Sequence, residues 1–179
     1  MKLKRTTVEK LVLTDIPDLD PVSVFLEDYG PHRGKVTIEC FGKAWSYFWT
    51  GMGDHSVGDF FCSCDNHYLS KKLAPGVDST VLDDDGLIEH AKKHIIEQRR
   101  EDYLSKDEAR TLYDSTDNLF REDHEHMYEI YGDEWWDCGP RVPNYEWEYL
   151  GRILNAAKAG IELARNPIDV EEQCSKSQK

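Results

Sequence analysis

The chain has 179 residues, with 35 Asp or Glu against 22 Lys or Arg and a formal net charge of −13. Proteins that neutralise nucleic-acid phosphates or bind anionic lipid need clustered Lys and Arg, so this charge argues against direct nucleic-acid binding and against a membrane protein. Five cysteines at irregular spacing are typical of reduced thiols, and no run approaches the roughly 18 apolar residues of a membrane span. We therefore expect a cytoplasmic protein.

The first fifty residues predict an antiparallel meander of about four strands. A β-rich run extends from Lys2 to Leu13 and is followed by a loop over residues 14–20. Residues 22–27 and 36–40 then alternate at period two, with turn-forming residues between them. Gly42 offers a tight reversal into a fourth strand.

Three large aromatic residues lie at alternate positions of that fourth strand. Trp45, Tyr47 and Trp49 therefore share one face of the predicted sheet. Such a row can stack the bases of a single strand of nucleic acid, but grooves of that kind are positively charged. Because this chain is acidic, we expect the row to form a core under helices.

Helices are predicted in the middle of the chain. The segment from Asp59 to Leu73 favours one or two helical turns, and a longer helix is expected from Leu87 to about Tyr103 with Asp85 as its N-cap. Apolar side chains of that longer helix fall within one arc, which predicts that they face inward: Leu87, Ile88, Ala91, Ile95 and Ile96.

A capping-box pattern predicts the next helix. Ser105 and Glu108 stand in the S-x-x-E relation, so a helix should begin at Ser105 and direct Ala109, Leu112 and Tyr113 inward.

The last helix has the clearest periodicity. Asn144 is its expected N-cap, and Asn166-Pro167 should end it. The apolar repeat comprises Leu150, Ile153, Leu154, Ala157, Ile161 and Ala164.

The fold expected is one α+β domain over residues 1–166, in which an N-terminal antiparallel meander is covered by C-terminal helices. A polar, disordered tail is expected to follow over residues 167–179.

Acidic and aromatic residues are concentrated together between Asp114 and Glu148. These 35 residues hold eleven carboxylates, two cations and seven aromatics, which is too apolar a composition for an ordinary solvated tail. A helix over 118–132 would bury Phe120, His124, Met127 and Tyr131 and place His126 on the surface.

The opposite face of that predicted helix carries a row of carboxylates. Glu122, Glu125 and Glu129 follow one another at spacings of three and four, and Asp133 would extend the row. Like charges at these spacings repel by a few tenths of a kcal/mol per pair, so stability alone would not select them. Carboxylates about 5–6 Å apart can occupy the Lys and Arg sites with which a protein holds phosphates.

Partner-binding residues are therefore predicted in and after this row. Glu134, Trp135 and Trp136 follow it directly, and the Trp pair is either a core plug or an apolar anchor for a partner. The alternative for the carboxylates is an ordinary solvated face that serves solubility.

Candidates for chemistry are weaker. Cys62, Cys64 and His67 form C-x-C-x-x-H, and Cys138 can supply a fourth ligand of the type that zinc takes. The spacing is not that of a zinc finger or ribbon, so buried thiols are the favoured interpretation and no metal or other cofactor is expected. No motif identifies a nucleophile, a phosphate loop or an acid/base pair, and we expect a protein that is not an enzyme.

Three segments resemble small proteins encoded by phages and prophages of enteric and related bacteria. They read VTIECFGKAWSYFWTGMG, FFCSCDNHYLSKKL and the stretch from Gly132 to Leu150, and the resemblance extends to about Asn166. It implies no site residue. It does imply a role in the host cytoplasm, because small acidic phage proteins often resemble inhibitors of host defence or of host nucleic-acid machinery. These include anti-CRISPR and anti-restriction proteins, some of which mimic nucleic acid.

These observations lead to one functional hypothesis and two alternatives. The hypothesis is an inhibitor that binds a host nucleic-acid-handling defence complex, of CRISPR or restriction type, through an acidic surface that mimics nucleic acid. The alternatives are a zinc-supported domain, with or without catalytic use of the metal, and a phage accessory protein without mimicry.

Overall fold

A computed structural model of the chain describes residues 1–166, which form two compact units. Of the described residues, unit 1 comprises Met1–Asp78 and residues 145–166, and unit 2 comprises Ser79–Asn144. The strands are β1 Glu9–Leu13, β2 Val22–Asp28, β3 Gly34–Cys40, β4 Lys43–Trp49, β5 Thr80–Leu82 and β6 Arg141–Pro143. The α-helices are α1 Val57–Ser63, α2 Asn66–Leu73, α3 Leu87–Arg100, α4 Lys106–Ser115, α5 His124–Tyr131 and α6 Tyr145–Arg165.

The predicted meander is confirmed. The first four strands form one antiparallel sheet in the order β1-β2-β3-β4, although β1 begins at Glu9 rather than near Lys2. Alternation in β2 and β3 places Val22, Val24 and Ile38 on the buried face, where each side chain contributes about 1.5–3 kcal/mol. The predicted α+β class is therefore confirmed.

The reversal between β3 and β4 depends on two residues with positive φ. Phe41 has φ 49° and Gly42 has φ 73°, and Cys40 pairs with Lys43 across the turn. Positive φ at both central residues is the geometry of a type I′ hairpin, whose twist matches that of the strands. Gly42 adopts this conformation without the steric cost that a Cβ imposes.

The aromatic row of β4 belongs to the core, as the alternation predicted. Trp45 and Trp49 are 6% and 4% exposed, and the Tyr47 ring meets Trp49 edge-on with 4.9 Å between centroids. Trp49 also contacts Phe61 of α1, and its indole N–H donates to the Tyr68 hydroxyl at 3.1 Å. A satisfied indole N–H is what a buried tryptophan requires.

Helices α1, α2 and α6 cover the buried face of the sheet. Residues 59–73 form two helices, α1 and α2, whose N-caps Ser56 and Asp65 accept hydrogen bonds from backbone N–H groups three residues later. Helix α6 begins directly after Asn144, and its predicted apolar residues are buried except Ala164, which is exposed in the last turn. The end of α6 is held by Arg165, which pairs with Asp59.

Unit 2 begins and ends in a two-stranded sheet. Strand β5 pairs antiparallel with β6, and the Asn144 N–H donates to the Ser79 carbonyl at 2.9 Å. The two ends of unit 2 are therefore adjacent, as is common for a segment that is inserted in the sequence between two parts of another unit. Its core is made by apolar residues of the helices and their connections: Leu87, Ala91, Ile95, Ala109, Leu119, Met127 and Ile130.

Two details of α3 and α4 differ from prediction. Gly86, not Asp85, occupies the N-cap of α3, and it provides no side-chain hydrogen bond. Ile96 and Tyr113 were expected inside but are 40% and 37% exposed, because only the narrower arc of each helix meets the unit 2 core. The capping box of Ser105 with Glu108 is confirmed and starts α4 at Lys106.

The helix predicted over 118–132 is wrong in its first half. A short 3₁₀ turn covers Thr116–Asn118, Leu119 is extended, and α5 starts only after Asp123. The Asp123 carboxylate accepts from the His126 N–H at 3.2 Å, which stabilises a new helix start at that point. Gly132 ends the helix with φ 78°.

The later start also changes which side chains of this segment are buried. Phe120 lies outside the helix and is 55% exposed, and His124 is exposed, whereas His126 is half-buried. Met127 is 1% exposed, as predicted, and Ile130 is buried. Leu119, whose backbone is extended, fills the core position that the prediction gave to Phe120.

Other predictions about the organisation of the chain stay predictions. One domain over 1–166 is not tested by the division into two compact units, and the tail at 167–179 lies outside the described residues. Within residues 1–166, the helices are too short or too polar to cross a lipid bilayer.

Candidate functional site

Most of the net charge of the chain lies in unit 2. Residues 79–144 hold 18 Asp or Glu and 8 Lys or Arg, a formal charge of −10 out of −13 for the whole chain. The remaining residues, although more numerous, carry only −3. The acidic excess therefore belongs to one continuous segment that folds as a small helical unit, where it creates a strong local negative potential.

Several cations of unit 2 already have carboxylate partners within the unit. Each pair also neutralises one carboxylate, so the net charge of −10 is carried by the groups outside these pairs. The shortest pairs hold different segments of the unit together, and the longer ones join residues three or four positions apart. Their N···O distances are 2.6 Å for Lys92–Asp117 and Arg121–Asp84, 3.1 Å for Arg99–Asp102, and 3.9 Å for Arg110–Asp114 and Arg141–Asp137.

The predicted carboxylates are exposed, but they do not form one row on one helix. Glu125 and Glu129 lie on α5 four residues apart, at the spacing that brings side chains within about 6 Å. Glu122 precedes the Asp123 N-cap, and Asp133 follows the helix-ending Gly132. The prediction of a continuous helical row is therefore wrong, while exposed carboxylates remain on α5 and at both of its ends.

The Trp pair separates into two environments. Trp135 is half-buried, and its ring lies against His124 with 4.8 Å between centroids and a 32° interplanar angle. Trp136 is 59% exposed and meets the Trp135 ring edge-on at 6.1 Å. Both residues lie on a 3₁₀ turn over Trp135–Asp137. Trp135 packs on the core of unit 2, whereas most of the Trp136 side chain is exposed.

A cleft of about 250 Å³ lies beside this pair. Arg121 lines it but is already engaged, because its guanidinium donates to the Leu82 carbonyl at 3.1 Å and pairs with Asp84. The sequence did not identify Leu82 or Arg121 as neighbours of the Trp pair, since only the fold brings β5 to α5. The full lining comprises Leu82, Arg121, Glu122, His124, Met127, Trp135 and Trp136.

The start of α5 carries a charge-assisted contact. His126 Nδ1 lies 2.6 Å from the Asp123 carboxylate. That hydrogen bond raises the pKa of His126 and lowers the pKa of Asp123. The pair holds Asp123 as an ionised N-cap, where the helix dipole also favours a negative charge.

The candidate zinc ligands have other partners. Cys62 Sγ lies 3.8 Å from the Lys158 carbonyl, and burial raises the pKa of the Cys62 and Cys64 thiols. The His67 ring packs against Trp147 at 5.4 Å. Cys138 lies in unit 2 and is half-buried. Within residues 1–166, no three His, Cys, Asp or Glu side chains are arranged to hold a metal ion.

Comparison with models of protein families matches residues 1–162 to a family described as a phage family. This match covers both compact units, so it includes the acidic unit and the sheet alike. No curated protein and no solved structure matches the chain.

Proposed function

This chain belongs to the phage family Phage_phiTE_072, and on that premise we propose that it is an inhibitor of host defence that acts in the bacterial cytoplasm. Its target is a nucleic-acid-handling complex of CRISPR or restriction type. Unit 2 binds this target in place of nucleic acid. The observation that supports the proposal is the charge of −10 on residues 79–144, with exposed carboxylates around α5 and the exposed Trp136 close by.

The chemistry of the partner follows from the charge. A protein that holds phosphates presents Lys and Arg side chains, and these pair equally well with carboxylates placed at similar spacing. One helix sets the backbone positions of Glu125 and Glu129, so only their side chains have to be ordered on binding. Glu122, Asp133 and Glu134 add exposed charge at the ends of that helix.

Magnitudes show that charge alone is insufficient for tight binding. An exposed ion pair contributes about 0.2–1 kcal/mol, so five carboxylates contribute at most a few kcal/mol. A micromolar complex needs roughly 8 kcal/mol. An exposed Trp at the centre of an interface commonly contributes 2 kcal/mol or more, so Trp136 is the residue proposed to supply the apolar part of the contact.

The proposal is tested by matched charge reversal. The site variant carries Glu122→Lys, Glu125→Lys and Asp133→Lys, which are exposed and lie outside the lining of the groove described below. The control variant carries Glu9→Lys, Glu39→Lys and Glu148→Lys, which are exposed residues of unit 1, and it changes the net charge equally. Both are assayed against purified CRISPR effector and restriction complexes by titration at several salt concentrations, with duplex DNA as competitor.

The wild-type protein should bind one of these complexes, lose affinity with rising salt, and be displaced by DNA. The site variant should bind at least about tenfold more weakly, and the control variant should bind like the wild type. Equal binding by the site variant and the wild type, or binding that is insensitive to salt, would refute electrostatic mimicry. If the site variant and the control variant bound the complex with equally reduced affinity, the effect would come from the net charge of the protein and not from a site around α5.

A further inference from the structure

Unit 2 has a second surface feature, a groove between α4 and α5 that lies apart from the Trp cleft. Its volume is about 540 Å³, and it has an apolar floor and an acidic rim. The floor is formed by Leu104 and Leu112, which are half-buried against the unit 2 core. The groove is lined by Leu104, Asp107, Glu108, Thr111, Leu112 and Glu129.

The rim of the groove is negatively charged. Three of its six lining residues are carboxylates, and none is a cation. The Glu108 carboxylate accepts a hydrogen bond from the Ser105 N–H at 2.9 Å, and the hydrogen bonds of this capping box lower the pKa of Glu108. Glu108 is thus held ionised and fixed in position at the groove.

The groove continues past Glu129 into a neighbouring depression. That depression has a volume of about 270 Å³ and shares Leu104 and Glu129 with the groove. Its lining also includes Tyr103, which is 72% exposed, and the buried Ile130. The groove and the depression together therefore place apolar side chains beside carboxylates.

We propose that this groove binds a basic amphipathic helix of the target protein. Leucine-like side chains of that helix lie on Leu104 and Leu112, and its Lys or Arg side chains pair with Asp107, Glu108 and Glu129. Charge complementarity selects this occupant, because an acidic rim beside an apolar floor disfavours an acidic or a purely polar segment. The inference rests on the proposed function and adds a contact that recognises a protein segment. This contact shares only Glu129 with the carboxylates proposed to replace phosphates.

The groove is tested with two synthetic helical peptides and a matched pair of variants. One peptide places Leu and Lys at helical spacing, and the other has the same Lys residues with Ser replacing each Leu. Thr111→Arg places a guanidinium in the groove within reach of Asp107 and Glu108, which lie four and three residues earlier on α4. Thr50→Arg makes the same change at an exposed position of unit 1.

The Leu-Lys peptide should bind the wild-type protein at least about tenfold more tightly than the Ser-Lys peptide. Thr111→Arg should weaken the Leu-Lys peptide about tenfold or more, and Thr50→Arg should leave it unchanged, with circular dichroism confirming that both variants are folded. The proposal that the groove binds a basic amphipathic helix is overturned if the two peptides bind with equal affinity. It is also overturned if the two Arg variants change the affinity for the Leu-Lys peptide equally.

The two proposals fail in different ways. The peptide assay uses no host complex, so it reports on the groove even if every complex tested fails to bind. If a host complex binds the wild-type protein and Thr111→Arg equally well, the groove is overturned while the proposed function stands.

Discussion

Two glycines of α6 provide a controlled measurement of how tightly β1 packs on that helix. A Cβ at Gly160 would lie 2.4 Å from Cδ2 and 2.7 Å from Cδ1 of Leu13 in β1. A Cβ at Gly151, in the same helix, would meet no heavy atom within 4 Å. Both changes to Ala gain the same helix propensity, about 1 kcal/mol, so any difference between them reports the contact with Leu13.

Gly151→Ala should raise the free energy of unfolding by about 0.5–1 kcal/mol. Gly160→Ala gains the same term, but it forces Leu13 out of its place, and overpacking of this kind costs about 1–3 kcal/mol. The net effect of Gly160→Ala should therefore range from neutral to a loss of about 2 kcal/mol. The predicted difference between the two variants is about 1–3 kcal/mol.

Urea denaturation followed by tryptophan fluorescence measures both variants, because the buried Trp45 and Trp49 report on unit 1. The same Gly160→Ala change in a Leu13→Ala background should become stabilising, since the colliding side chain is gone. The reasoning is refuted if Gly160→Ala stabilises the wild-type protein as much as Gly151→Ala does. It is also refuted if the Leu13→Ala background leaves the effect of Gly160→Ala unchanged.

Three further predictions concern unit 2. Ser105→Ala removes the α4 capping box and should cost about 1 kcal/mol of unfolding free energy in a urea titration followed by circular dichroism; no change would show that the cap is dispensable. Burial lowers the pKa of His94, and the nearby His90 has a smaller effect in the same direction. His94 therefore binds a proton more readily in the unfolded chain than in the folded protein. This contribution to stability is complete above the unfolded pKa of about 6.5, and it is lost as pH falls from there through the lowered pKa of the folded state. His94→Gln should therefore reduce the loss of stability measured between about pH 7 and pH 5, and an unchanged pH profile would exclude His94 as its source. Trp136→Ala should change stability by less than about 0.5 kcal/mol but weaken a bound host complex about tenfold or more, and unchanged binding would exclude the anchor role.

Local patterns in the sequence were sufficient for much of the fold. Alternation at period two predicted the meander, because consecutive strands pair across short connections. It also predicted that Trp45 and Trp49 are buried together, since side chains at alternate positions of a strand lie on the same face. The S-x-x-E pattern located the start of α4, since both partners of a capping box lie within one helical turn. These features depend on residues that are close in sequence.

The same patterns failed where two local signals competed. Apolar spacing favoured a helix from residue 118, whereas Asp123 offered an N-cap further along. Burial of Leu119 in the unit 2 core, rather than Phe120, decided between them. Helix periodicity could not resolve this choice, because tertiary packing routinely overrides the small differences in local propensity.

For the candidate site, the sequence by itself determined the acidity, the aromatic content and the exposed carboxylates of residues 114–137. Only the tertiary structure decided that Trp135 packs inward while Trp136 is exposed, and that Leu104, Leu112 and Glu129 meet in one groove. The closure of unit 2 likewise depends on β5 and β6, in which Thr80 and Arg141 bond across 61 positions of the chain. Charge is a property of each residue and can be counted, whereas a cleft or groove exists only where packing brings distant segments together.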